Sequence, residues 1–300
     1  MKMMKLRGTF FAVVAIWSTT PLAIAWGATD VGFIPAITWR MVPAAVLSFL
    51  LCKAFGIQVH WHRQAIFSYL AAGLGMFCAM TMAYWASQYI ESGMLSVIFG
   101  MTPVFSGLLS IKLLGESFFS PGKLMALMVA LCGFALMFNG ELGVSERGTW
   151  ALIVLFAAVW IFSLSAVLVK RIDLGGHPLA QSSGALIIST PLFVVLFFLT
   201  GAASFQDPSL RAVISISYLV VFGSIFGFVG YFYILQRMSP RDVGLLNLIA
   251  PVFALWLGAI VNEESLDPEQ WLGAALVLTS LAMYQWGAQL VAAWQSARKR

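Results

Sequence analysis

Apolar residues along this chain come in long runs, parted by short clusters of charged residues, glycine and proline. A helix needs about 20 mostly apolar residues to cross the hydrocarbon core of a bilayer. Runs of that kind fall near residues 7–26, 32–52, 66–86, 93–113, 122–139, 149–169, 179–200, 213–235, 243–261 and 269–290. The pattern predicts an all-α membrane protein with ten transmembrane helices.

The charges between the runs test that number, because loops on the cytoplasmic side carry an excess of Lys and Arg. With the N-terminus inside, the inner segments hold Lys2, Lys5, Arg7, Lys53, Arg63, Lys112, Lys123, Lys170, Arg171, Arg237, Arg241, Arg298, Lys299 and Arg300, and the outer loops only Arg147 and Arg211. Asp30, Glu91, Glu141, Glu146, Asp207, Glu263, Glu264, Asp267 and Glu269 fall outside. Losing or adding one helix would scramble this separation, so both termini are expected in the cytoplasm.

Composition agrees with a chain that uses lipid as part of its solvent. It is 61% hydrophobic and 10% charged, with a mean hydropathy of +0.92, where a soluble domain carries roughly 25% charged residues. The net charge of +5 is spread between apolar runs, with no basic tract beyond the last three residues, so the lipid bilayer and not nucleic acid is the expected partner. Cys52, Cys78 and Cys132 lie inside apolar runs without metal-ligand spacing. No cofactor or metal is expected, and no phosphate-binding glycine loop occurs. Lys2, Lys5 and Arg7 before an apolar run ending Ala23-Ile24-Ala25 imitate a secretory signal, but the run is too long and is interrupted by Trp17 and Pro21.

The chain also repeats itself. At a spacing of 148, Gln88 matches Gln236, Pro103-Val104-Phe105 matches Pro251-Val252-Phe253, and Glu116 matches Glu264. At a spacing of 143, Ala15-Ile16-Trp17 meets Ala158-Val159-Trp160, and Pro35 meets Pro178. Two five-helix units follow, residues 7–140 and 148–290. Five crossings is an odd number, so the second unit enters the membrane from the opposite side and the repeats are inverted. Inverted halves can expose a central site to either face in turn.

Tryptophan followed by serine in the first span, an arginine in the second, a proline late in the fourth and then Gly115-Glu116, with a second glycine-rich copy, resemble the EamA-type drug/metabolite transporters over residues 8–290. The resemblance implies a ten-helix carrier of a bacterial-type inner membrane, often an exporter of amino acids or related metabolites. It says little about the substrate. Asn262 stands where the second copy would carry the glycine before Glu263-Glu264.

Arg40 is the one charge well inside a predicted span, where a cation costs about 2.5–3.5 kcal/mol on insertion scales. It has two readings: it meets a substrate carboxylate, or it caps backbone carbonyls and holds helices together. Trp17 and Trp160 hold matched mid-span positions and either pack helices or wall a cavity, with Ser18, Thr19 and Ser163 offering hydroxyls beside them. Tyr84, Gln88 and Tyr231 close the third and eighth spans as interface anchors or substrate contacts. Asn247 should face the protein interior, to contact substrate in a cavity or to hydrogen-bond between helices, and Pro103 and Pro251 form a matched pair of breaks that suit gating. No Asp, Glu or His lies deep in a span to hold a proton, which favours transport driven by the substrate's own gradient. A small-molecule carrier is thus expected and not an enzyme. A lipid-modifying enzyme would need a nucleophile, metal ligands or paired acids in the membrane, and a passive channel is disfavoured by the inverted repeat. Nothing in the sequence indicates a homo-oligomer.

Overall fold

A computed structural model describes residues 2–115, 121–139, 146–200, 207–237, 240–263 and 267–298, some of them, Asn247 included, by backbone alone. Every regular element among them is helical: α1 (Lys2–Val31), α2 (Phe33–Ala54), α3 (Arg63–Ala86), α4 (Ser92–Leu114), α5 (Pro121–Asn139), α6 (Glu146–Ile172), α7 (Pro178–Leu199), α8 (Leu210–Arg237), α9 (Pro240–Val261) and α10 (Pro268–Arg298). Lipid offers no hydrogen bonds, so a spanning chain must satisfy its backbone within its own helices. Seven helices, α1–α4 and α6–α8, are long and apolar enough to cross a membrane, and shorter apolar stretches, Leu124–Gly133 and Ile249–Val261, lie in α5 and α9.

Turn chemistry sets several ends. Gly32 (φ 85°) separates α1 from α2, and Gly115 (φ 71°) ends α4 in the left-handed conformation that glycine adopts without strain. Ser209 caps α8, its hydroxyl accepting from the Ala212 amide at 3.2 Å. Three helices are irregular inside. The ladder of α4 breaks at Gly100-Met101 before Pro103, α3 contains a π turn at Gly75–Ala79, and α8 one at Leu219–Phe226. The two π turns include Gly75 and Gly223, which match at the spacing of 148.

Packing interleaves the two halves. Helix α1 lies against α8 and α9 while α6 lies against α3 and α4; α2 touches α8 while α7 touches α3; α2 and α7 pack together, as do α5 and α10, and α4 and α9. Each of these pairs is either its own counterpart or has one with the halves exchanged, as duplicated units around a shared axis require. One buried core gathers around α1, α2, α3, α7 and α8, and another around α3–α6, α9 and α10. Large apolar side chains such as Leu124, Phe198 and Trp256 face outward, as lipid contact allows.

Some of these crossings leave no room for a side chain. A Cβ on Gly184 of α7 would stand 2.5 Å from the ring of the fully buried Tyr69 on α3. Next to it Ser68 and Gln181 bond reciprocally, the Ser68 hydroxyl to Oε1 at 3.0 Å and the amide nitrogen to the Ser68 carbonyl at 3.3 Å. Gly184→Ala should therefore lower the thermal unfolding midpoint in detergent. Overpacking of about 1–3 kcal/mol exceeds the roughly 0.5–1 kcal/mol that alanine gains over glycine inside a helix. An unchanged or higher midpoint would contradict this contact.

Candidate functional site

A cavity lies where the two halves meet, walled by α1, α2, α3, α4, α6, α8 and α9. Its lining is mostly apolar and aromatic: Trp17, Pro21 and Ile24 from α1, Met80 from α3, Leu95 and Phe99 from α4, Phe162 from α6, Phe228 from α8 and Pro251 from α9. Polar groups are few. Thr20 and Ser96 bring hydroxyls, and the Thr20 hydroxyl already donates to the Ile16 carbonyl at 2.7 Å.

Arg40 is the cavity's one cation, and it is 1% exposed. It sits about 10 Å along α2 from the Phe33 end, at a rise of about 1.5 Å per residue. Its Nε donates to the Ser224 hydroxyl at 2.9 Å and its Nη1 to the Tyr84 hydroxyl at 3.3 Å. The guanidinium carbon lies 5.9 Å from the Tyr84 ring centre and 6.0 Å from that of Phe228, within reach of cation–π attraction. Gly223 makes this placement possible, since a Cβ there would fall 3.1 Å from Nη2. Guanidinium carries five N–H donors, and these bonds use two of them, one at Nε and one at Nη1. Among the described residues no carboxylate pairs with it. Arg40, bonded to Ser224 and Tyr84 and without an acidic partner among the described residues, thus brings a positive charge to the wall of a largely apolar chamber shared by both halves.

Comparison with known proteins accords with this geometry. The model of the EamA-like transporter family matches the chain twice, over residues 8–139 and 149–285. The chain belongs to the EamA-like transporter family. It is 26% identical to a protein of Escherichia coli K12 named "Uncharacterized inner membrane transporter YedA", the match covering 97% of this chain and 96% of that protein. It is 24% identical to another from the same organism, named "Probable amino-acid metabolite efflux pump", with 95% and 91% covered. A solved crystal structure superposes with a TM-score of 0.70 over 96% of this chain and 98% of its own, at 17% identity, and so shares the fold. The protein is a multi-pass membrane transporter.

In this EamA-like transporter the residues expected from sequence divide into distinct groups. Trp17, Arg40 and Pro251 line the cavity. Tyr84 is wholly buried behind Arg40, and Tyr231 stands behind Trp17, with ring centres 5.2 Å apart, beside a smaller cavity of about 290 Å³. The Ser18 hydroxyl donates to the Val14 carbonyl at 2.7 Å, and Thr19 bonds the Ala15 and Ile16 carbonyls and the Tyr218 hydroxyl. Both hydroxyls are thus occupied by helix α1 and its neighbour, and neither residue is on the cavity wall. Ser163 is buried and reaches the Thr102 carbonyl at 3.3 Å, tying α6 to α4.

Trp160 departs from the expectation that it matches Trp17 as a cavity wall. It is 42% exposed and meets the edge of Phe105, ring centres 5.6 Å apart. The inward position on α6 belongs to Phe162, and two residues along a helix rotate by about 200°. Gln88 is exposed just past the end of α3 and is not on the wall either. Pro103 follows the break in α4, its carbonyl accepting from the Tyr284 hydroxyl at 3.4 Å. The side chain of Asn247 and the whole of Glu116 lie outside the described residues.

Sequence reasoning missed Thr20, Ser96, Phe99, Phe162, Ser224 and Phe228. Ser224 and Ser96 left a readable mark, each a hydroxyl in an apolar run, Leu219–Phe226 and residues 94–99. The aromatic residues left none, since lipid-facing and cavity-facing phenylalanines look alike in sequence.

Proposed function

We propose that this transporter moves a small carboxylate-bearing organic metabolite, an amino acid or close relative, out across a bacterial-type inner membrane. The observation that carries the reading is Arg40, a buried cation with no acidic partner among the described residues, on the wall of a chamber shared by both halves. A charge at that depth is costly, and a substrate carboxylate would offset the cost while using donors that Ser224 and Tyr84 leave open. The flanking aromatic and apolar walls suit the carbon frame of such a molecule. The name of the amino-acid efflux relative supports the same substrate class.

Ten crossings with both termini cytoplasmic, in inverted units spanning residues 7–140 and 148–290, follow from the charge distribution and the odd parity of the repeat. Alternating access to the chamber is the mechanism such a design favours. Trp17, Arg40, Tyr84 and Tyr231 form the substrate site with its backing, and Pro251, in the wall on α9, is the proline placed to couple helix movement to the chamber. With no acid deep in a span to hold a proton, the substrate's own gradient drives exchange.

The reading is tested by the metabolites released from cells that overproduce the protein, compared with cells carrying Trp17→Ala at equal membrane abundance. The expected result is a carboxylate-bearing metabolite enriched in the medium with the intact protein and reduced toward background with the variant. Identical profiles would count against the chamber as the transport site.

A further inference from the structure

The helix ends at the outer mouth are clasped by a specific set of polar contacts. Trp26, near the end of α1, donates its indole N–H to the Asn262 side-chain oxygen at 2.7 Å, and Arg211, in the first turn of α8, donates to the same oxygen at 3.3 Å. The Arg211 guanidinium lies 4.0 Å from the Trp26 ring centre. Asp30 accepts from the backbone N–H of Ser209, the cap of α8, at 2.8 Å. A carboxylate at a helix N-terminus is favoured by the exposed amides and the helix dipole. Together these contacts draw the ends of α1, α8 and α9 together.

The repeat places the same two charges at the opposite mouth. At the spacing of 143, Asp30 corresponds to Asp173, just after α6; at 148, Arg211 corresponds to Arg63, the first residue of α3. Here the contacts are not made. The Arg63 guanidinium lies over Phe67 of its own helix, 5.6 Å from the ring centre, and the residue before it, His62, caps α3 with no side-chain hydrogen bond. Asp173 has left the helix with φ 43°, whereas Asp30 remains helical. Neither Asp173 nor Arg63 has an ion-pair partner among the described residues. Between α3 and α6 runs a shallow, mostly apolar surface groove with Arg63, Gln64, Phe67, Leu70, Leu168 and Ile172 on its walls. The Gln64 amide bonds the Ile172 carbonyl at 3.0 Å across it.

We infer that Asp173 and Arg63 are the latch of the inner mouth, open in this conformation and closed in the opposite one. In the closed form Asp173 docks on the N-terminus of α3 as Asp30 docks on that of α8, and pairs with Arg63. The latch depends on charge more than the outer clasp does, because Val169 stands where the outer mouth has Trp26. This inference rests on the alternating-access reading above.

The test reads the accessibility of the chamber from each side and needs no substrate. In full-length protein with Cys52, Cys78 and Cys132 replaced, Ser96→Cys supplies a thiol on the chamber wall. A membrane-impermeant thiol reagent is applied to right-side-out and to inside-out vesicles. Asp173→Asn should raise the ratio of inner-side to outer-side labelling by about fivefold, as expected for losing one exposed charge pair at the upper end of its range. Asp30→Asn should do the reverse. The charge-swapped pair Arg63→Asp with Asp173→Arg should bring the ratio part of the way back toward the parent, since a double exchange restores the pair but not the docking of a carboxylate on the α3 amides. A shift with Asp30→Asn but none with Asp173→Asn, shifts in the same direction, or a swap that restores nothing would overturn the latch while leaving alternating access standing. Labelling from one side only, unmoved by either variant, would overturn both.

Discussion

Arg40→Gln should lower export of a carboxylate-bearing substrate by about 10- to 100-fold, with the protein still present in the membrane. A hydrogen bond to a charged group contributes roughly 1.5–3 kcal/mol, and more when its loss strands a buried charge; each 1.4 kcal/mol is about tenfold in rate or affinity. Glutamine keeps a donor for Ser224 or Tyr84 but loses the charge and the planar fork. Folding should tolerate the change, because removing an unpaired cation from an apolar region relieves a cost. Arg40→Lys should fall between the two, as an ammonium keeps the charge without the bidentate geometry. Initial export rates at matched membrane abundance are the measurement. If Arg40→Gln exported like the parent, Arg40 would be a helix-packing residue only.

Gly223→Val should cause a loss of similar size without touching any charged residue. A Cβ at this position would stand 3.1 Å from both Nη2 of Arg40 and the Leu219 side chain, and valine adds two methyl groups beyond it. The guanidinium must then leave its seat, and its 2.9 Å bond to the neighbouring Ser224 goes with it. Displacement of about 1 Å in a positioning group is enough to cost on the order of 100-fold in a tuned site. Gly122→Ala, where a Cβ meets nothing within 4 Å, should leave export unchanged in the same assay. Normal export by Gly223→Val would show that the arginine's exact seat is immaterial.

Much of the fold was legible because lipid simplifies the code: helices must satisfy themselves, and loops carry the charge that sorts them across the membrane. Arg40 stood out for the same reason, as a charge with no business in an apolar run unless something requires it. Rotation about each helix axis was not legible. Helices apolar on all sides have no polar face to orient them, so matching Trp160 to Trp17 by position said nothing about which way it points, and Phe162 holds the inward place instead. The π turns compound this, since each shifts the register of every side chain beyond it in α3 and α8. Ser18 and Thr19 were plausible ligands by composition, yet a hydroxyl in a helix readily bonds the carbonyl one turn back, and both do. The adjacent Thr20, on the cavity wall, also bonds back to a carbonyl, so only geometry separates it from its neighbours.

Counterflow in proteoliposomes tests the shared, alternately exposed chamber most directly. Vesicles holding purified protein are preloaded with a mixture of neutral and aromatic L-amino acids, and entry of trace labelled amino acid is followed with no imposed pH gradient. The chamber described here predicts saturable entry that the preload stimulates and that Arg40→Gln lowers by about tenfold or more. Entry that does not saturate, ignores the preload, or is equal with Arg40→Gln would contradict it.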